Sequence, residues 1–146
     1  MKSVQKVTRV KLNVNLNNDL IMVGLVSSEP DYKLSISINR KFGISLKNLS
    51  PLKIENGTGS ELSFSRFSDI SGSPDIIFSL ISNRNGKQFL INKLKNIDYI
   101  FQVQDSENES KINQITSGLR EIESVNAVFN IDLNTFKDKN LHYLTL

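Results

Sequence analysis

The chain has no cysteine and no tryptophan, one histidine and three prolines among its 146 residues. Without cysteine there can be no disulfide framework, no thiolate nucleophile and no zinc site that depends on sulfur. The lone histidine, His142, cannot supply a metal cluster by itself. It lies near the end of the chain in a tail expected to be mobile, so it reads as an ordinary surface residue rather than a triad base. Long apolar runs are also missing. The longest, Leu20 to Val26, falls far short of the roughly 20 residues of a membrane-spanning helix. No apolar leader follows Met1-Lys2-Ser3. These absences point to a reducing, cytoplasmic setting with no membrane contact.

Apolar residues make up 38% of the chain, with asparagine, serine and lysine filling much of the remainder. They fall in dense periodic clusters, which a disordered chain lacks because it has too little to bury against its conformational entropy. One folded domain over residues 1–146 is therefore expected, burying roughly 68–70% of the surface of the unfolded chain. The net charge is +3, from 18 basic and 15 acidic residues, and the sequence pI is about 9.2. The basic residues are scattered from Lys6 to Lys95 rather than gathered in a stripe, which describes a mixed solvated surface.

Val10, Leu12, Val14 and Leu16 alternate with polar residues, as in a strand with one wet face. After a turn at Asn17-Asn18-Asp19, the continuously apolar Leu20–Val26 suits a strand covered on both faces. The next segment is ambiguous. Tyr32, Leu34, Ile36 and Ile38 alternate, but Leu34, Ile38 and Phe42 share a helical face. Ser28 with Asp31 resembles a helix cap, Pro30 fits a first turn and Gly43 fits a stop, which favours a helix. Strands are expected over Ile44–Leu49, stopped by Pro51, and over Glu61–Phe67 and Ile76–Ser82. A loop covers 53–60 and a turn covers Ser71–Pro74. Asn83-Arg84-Asn85-Gly86 between apolar runs is a hairpin signal. Ile97, Tyr99, Phe101 and Val103 alternate along a further strand.

Ser106–Glu123 is the clearest helix, with Ile112, Ile115, Leu119 and Ile122 on one stripe and Ser106 and Glu109 as a capping box. Gly118 costs that helix up to about 1 kcal/mol against alanine. Val125–Ile131 closes as a strand. The expected class is α+β: a mostly antiparallel sheet with two main helices packed on one side and a C-terminal β-α-β unit. That unit resembles half of a ferredoxin-like or ACT domain in topology, which does not carry function.

No catalytic constellation stands out, and no cofactor or metal is implied. Gly57-Thr58-Gly59 lacks the lysine ending and the following helix of a phosphate loop, and no Asp-x-Asp-x-Asp-Gly loop occurs. Tyr99 and Phe101 share a strand face with other apolar residues, so they read as core rather than as an RNA platform. Asp98 stands out as a carboxylate inside an apolar strand, expected to meet water or to fix local backbone through hydrogen bonds.

Ile91-Asn92-Lys93-Leu94-Lys95-Asn96-Ile97-Asp98-Tyr99 resembles the motif of the IPExxxVDY family, small Bacteroidetes proteins without an assigned function. Ile91, Asp98 and Tyr99 match and Ile97 replaces valine. The family's proline and glutamate are Asn92 and Lys93 here. Asp31-Tyr32-Lys33-Leu34 with Asn39, and Leu80-Ile81-Ser82-Asn83, resemble further family segments. The resemblance implies a helix over the first of these, and a genomic neighbourhood with acyl carrier protein and ribonuclease III. Asp31, Tyr32, Asp98 and Tyr99 are accordingly the candidate binding residues. The favoured expectation is a non-enzymatic binding or adaptor protein with a protein partner or self-association through a sheet edge or face. RNA binding and a small-ligand regulatory domain are the alternatives.

Overall fold

In the computed structural model, residues 20–55, 59–71, 76–105, 111–132, 138 and 140–144 are described. Their strands are β1 (Leu20–Val26), β2 (Lys47–Glu55), β3 (Glu61–Asp69), β4 (Ile76–Ser82), β5 (Arg84–Asn85), β6 (Gln88–Phe89), β7 (Tyr99–Asp105) and β8 (Ala127–Asn130). The helices are α1 (Asp31–Phe42) and α2 (Ile112–Arg120), with 3-10 turns at Asn92–Leu94 and Leu141–Tyr143. Six strands form one sheet in the order β2-β3-β4-β7-β1-β8, every pair antiparallel. The fold is α+β. The strand expected over Val10–Leu16 and the capping box at Ser106 lie outside the described residues.

The apolar run of β1 forms a strand because both its faces are buried: Met22, Val23 and Leu25 are almost fully enclosed. Ile21, Val23 and Leu25 point to the helices, and Met22 points to the opposite face. β7 lies beside β1 and supplies Tyr99, Phe101 and Val103 to the helical side. Phe101 stacks against both Phe42, centroids 6.1 Å apart, and Phe78, 6.2 Å apart. Such aromatic pairs add about 0.5–1.5 kcal/mol beyond the area they bury.

α1 buries Leu34, Ser35 and Ile38, which fixes the helical choice for this ambiguous segment. Gly43 ends it in the left-handed region (φ 66°, ψ 35°), with its N–H on the Asn39 carbonyl. The start differs from expectation. Pro30 occupies the cap position with no side-chain hydrogen bond, and Ser28 precedes it. α2 places Ile115 and Leu119 in the same core, and Ile122 joins them from the turn just after the helix, which ends at Arg120 rather than Glu123. Its Gly118 has a packing reason. A methyl there would stand 2.7–2.8 Å from the Phe42 ring, so glycine lets the two helices approach. Lys41 and Glu121 pair across the same contact.

Three expectations are corrected. Pro51 does not stop β2 but sits inside it, where the register shifts between Leu49 and Leu52. An edge strand tolerates proline because one row of its N–H groups faces away from the sheet. Ile97 is not in line with Tyr99. The strand begins at Tyr99, and Ile97 packs on the other face with Met22, Ile91 and Ile100. The chain end, expected to be mobile, docks there too: Leu144 is buried, and its carbonyl accepts a 2.9 Å hydrogen bond from Gln102 Nε2. The sheet is thus covered on both faces.

The β-α-β expectation is met by β7, α2 and β8. β7 and β8 flank β1, each antiparallel to it, and so run parallel to one another.

Candidate functional site

The apolar run of β1 ends at Ser27, and the chain must cross from the sheet to α1 within four residues. This turn, Ser27-Ser28-Glu29-Pro30, forms one wall of an open groove of about 630 Å³. Val26, Ser82, Arg84, Asp98, Tyr99 and Asn126 complete the lining.

Asp98 precedes β7 at the point where the chain returns from the β5–β6 hairpin. Its Oδ2 accepts the Ser27 N–H at 2.9 Å, and its Oδ1 meets Arg84 Nη2 at 3.1 Å. Its own N–H donates to the Leu25 carbonyl. Asp98 therefore fixes backbone through hydrogen bonds, but that of Ser27, 71 positions away, rather than the local backbone that was expected. Arg84 stands on the Phe89 ring, 5.4 Å from the centroid, a cation–π contact worth about 0.5–1 kcal/mol at an exposed site.

The Tyr99 hydroxyl donates to the Glu29 carbonyl at 2.6 Å. Burial, and then the carboxylates of Asp31, Asp98 and Glu29, push this phenol up to about 12, so it stays protonated and donating at neutral pH. Ser27 is the junction of the wall. Its hydroxyl donates to the Ser124 carbonyl at 2.7 Å and accepts the Glu29 N–H at 3.2 Å.

Of the four candidate residues, Asp98 and Tyr99 line the groove, and Asp31 lies close enough for its charge to act on the Tyr99 hydroxyl. The Asp31 carboxylate accepts the Tyr32 N–H at 2.7 Å. Tyr32 is outside the lining, with 54% of its surface exposed on α1, and Ile36 one turn on is 46% exposed. Ser27, Glu29, Arg84 and Asn126 carry no sequence signal and were not anticipated.

Neither was the depth of Asn83, which is completely buried. Its N–H donates to the Asp98 carbonyl and its carbonyl accepts the Leu90 N–H, both at 2.9 Å. Its side chain donates to the carbonyls of Leu94 (2.8 Å) and Ile97 (3.0 Å) and accepts the Ile91 N–H (2.8 Å). One side chain thereby closes the whole excursion from Asn83 to Asp98, including the 3-10 turn at Asn92–Leu94. Asn39 does the same on a smaller scale, holding Leu46 N–H (2.7 Å) and carbonyl (3.3 Å).

No family model and no curated protein matches the chain. Asn39, Asn83, Asp98 and Tyr99 each hold backbone in place. Among the described residues no group of three or more histidine, aspartate or glutamate side chains could hold a metal ion, and no helix is long and apolar enough to cross a membrane.

Proposed function

We propose that this chain is a non-enzymatic binding module whose partner is another protein, recognised at the groove between Ser27–Pro30 and Arg84. The observation that carries this reading is that the two candidate side chains lining the groove are already engaged. Asp98 is engaged by Arg84 and a backbone N–H, and Tyr99 is a protonated donor to a carbonyl. A general acid or base must be able to exchange a proton with a substrate near the working pH, which these groups are not placed to do. What remains is a shaped recess whose wall leads directly into α1, with Tyr32 and Ile36 exposed one turn apart. Exposed aromatic and aliphatic side chains on a rigid helix are the usual anchors of a protein contact.

Ile91, Asp98 and Tyr99 support membership of the IPExxxVDY family as part of the same reading. The RNA alternative gains no stacking platform from Tyr99 and Phe101, which are both in the core. The small-ligand alternative has only the β7-α2-β8 topology in its favour.

The test is a mild affinity purification of the tagged chain from its native host, with and without nuclease. A protein partner is expected to survive nuclease and to be lost on replacing Tyr32 and Ile36 with serine. Co-purifying RNA, with proteins released by nuclease, would replace this reading with the RNA one.

A further inference from the structure

The two ends of the sheet are built differently. At one end, β2 carries Pro51, a shifted register and the charges of Lys47, Lys53 and Glu55. Proline, irregular register and charge are the devices by which sheet edges avoid pairing with other chains. At the other end, β8 reads Ala127-Val128-Phe129-Asn130, with no charge, no proline and a regular register against β1. Among the described residues no strand pairs with its outer side.

The register says which groups face outward. Ile131 N–H donates to the Met22 carbonyl at 3.0 Å, and the pairs Gly24–Phe129 and Val26–Ala127 follow at intervals of two. In an antiparallel ladder such alternate pairs exchange the hydrogen bonds, and the residues between them point their N–H and C=O the other way. Val128 and Asn130 thus turn their backbone N–H and C=O away from β1, towards the edge where no described strand pairs. The Phe129 side chain stands on the sheet face away from the helices, and 51% of its surface is exposed. It forms part of a groove of about 500 Å³ with Leu94, Ile97 and Ile131, and the wall includes one charge of each sign, Lys93 and Asp132.

We propose that β8 pairs antiparallel with β8 of a second copy of this chain, about a two-fold axis at Phe129, joining two six-stranded sheets into one. The register carries the choice of a second copy. A symmetric pairing through Val128 and Asn130 bonds each of them to the other across the axis. It also sets the two Phe129 residues directly opposite, about 4.5 Å apart at Cα, in the closer, non-hydrogen-bonded position. Each ring then lies beside the partly apolar groove of the other copy, so the knob and the hole are on the same patch, as an isologous interface requires. A cross-strand aromatic pair at that position is favourable in its own right. Four residues of edge and one aromatic make a small interface, below the roughly 1,200–2,000 Å² of stable complexes, so a dissociation constant on the order of 10 μM is expected. This surface is separate from the groove at Ser27–Pro30, and the two proposals can fail independently.

Sedimentation velocity of the full chain over a concentration series from about 1 to 200 μM, bracketing that constant, should show reversible dimer formation. Phe129→Lys and, separately, Asn130→Pro should each weaken it by at least about thirtyfold. Leu49→Lys at the opposite edge should leave it unchanged. Asn130→Pro removes only an outward donor, and thermal melts of each variant establish that the monomer is folded. In a chain with no other thiol, Phe129→Cys should form an intermolecular disulfide under mild oxidation. A chain that stays monomeric throughout overturns the proposal, as does a dimer that survives both edge variants or is lost with Leu49→Lys. Absence of the disulfide at dimer-forming concentrations overturns the axis at Phe129. A monomer that still captures a protein partner would leave the groove reading intact.

Discussion

The two faces of the sheet are covered by different means. On one, α1 and α2 lay down Leu34, Ile38, Ile115 and Leu119 against Val23, Leu25, Phe101 and Val103. On the other, the cover is irregular chain: the excursion from Asn83 to Asp98 and the turn Leu141–Leu144, which contribute Leu90, Ile91, Ile97 and Leu144. A helix satisfies its own backbone, so its contribution can be almost wholly apolar. Irregular chain cannot, and each buried stretch needs a polar side chain to take up its N–H and C=O groups. Asn83 does this for Leu94, Ile97 and Ile91, Gln102 for Leu144, and Asn140 for Leu90. The helical face is held by area and the other by area together with a few hydrogen bonds that cannot be replaced by water.

The sharpest way to break this contrast is Asn83→Ala. It leaves the Ile97 carbonyl and the Ile91 N–H without partners, while the Leu94 carbonyl keeps the Ile97 N–H. At about 1–3 kcal/mol for each orphaned group, a loss of about 3 kcal/mol is expected in urea unfolding. Hydrogen exchange should show 84–98 opening first while α1 and α2 stay protected. A cost under about 1 kcal/mol would mean that the excursion is held by its apolar residues alone.

The glycines facing each layer give a matched pair. A methyl at Gly24 would stand 2.9–3.1 Å from three side-chain carbons of buried Ile97, and overpacking there should cost about 2 kcal/mol. Gly118→Ala meets the Phe42 ring but regains up to about 1 kcal/mol of helix propensity, so a smaller net loss is expected. Equal losses in thermal unfolding would remove the distinction between a rigidly tethered layer and a helical one.

The polar rim of the helical face should show itself through pH. Asp69 accepts the Ser71 hydroxyl (2.6 Å) and N–H (2.8 Å) and the Ser45 N–H (2.8 Å), tying the end of β3 to the loop after α1. The Ser71 hydroxyl first, and then the backbone donors against the opposing effect of burial, hold its carboxyl below the ordinary 3.8. Because the folded value is the lower one, this stabilisation is present above pH 3.8 and is lost as pH falls through the folded pKa. Asp69→Asn should cost about 1–2 kcal/mol at pH 7 and flatten the acid limb of the stability curve.

The smallest effect belongs to Tyr99→Phe, about 1 kcal/mol for the bond to Glu29. Tyr99 titrates near 12 when folded against 10 otherwise, so its contribution is complete below pH 10 and lost as pH rises towards 12. Absorbance at 295 nm should show one of the three tyrosines ionising only there, and the variant should lack that step.

Much of the helical face was legible, because Leu34, Ile38 and Phe42 and then Ile115, Leu119 and Ile122 repeat with the period of the structure they form. β1 and β7 were legible from apolar runs and alternation. The other face was not. Asn83 was visible only as a turn residue, since a polar side chain reads as wet until its partners are known. Pro51 looked like a strand stop because the sequence does not say which strand is at an edge. Ile97 fell in phase with Tyr99, although the break at Asp98 turns it to the opposite face. Within the candidate site, Asp98 was conspicuous by type and setting, and Asp31 and Tyr99 through the resemblance. Ser27, Glu29, Arg84 and Asn126 had no local pattern to betray them.

The sequence by itself determined the fold class, the two helices, most of the sheet strands and the lack of a sulfur-bearing or histidine-rich site, because these depend on composition and short-range periodicity. Only the tertiary structure decided the strand order, the buried role of Asn83, the gathering of Ser27, Glu29, Arg84 and Asp98 into one groove, and which strands lie at the sheet edges among the described residues. Those depend on contacts between residues far apart in the chain, 71 positions for Ser27 and Asp98 and 97 for Ser27 and Ser124, and no short window along the chain contains both partners.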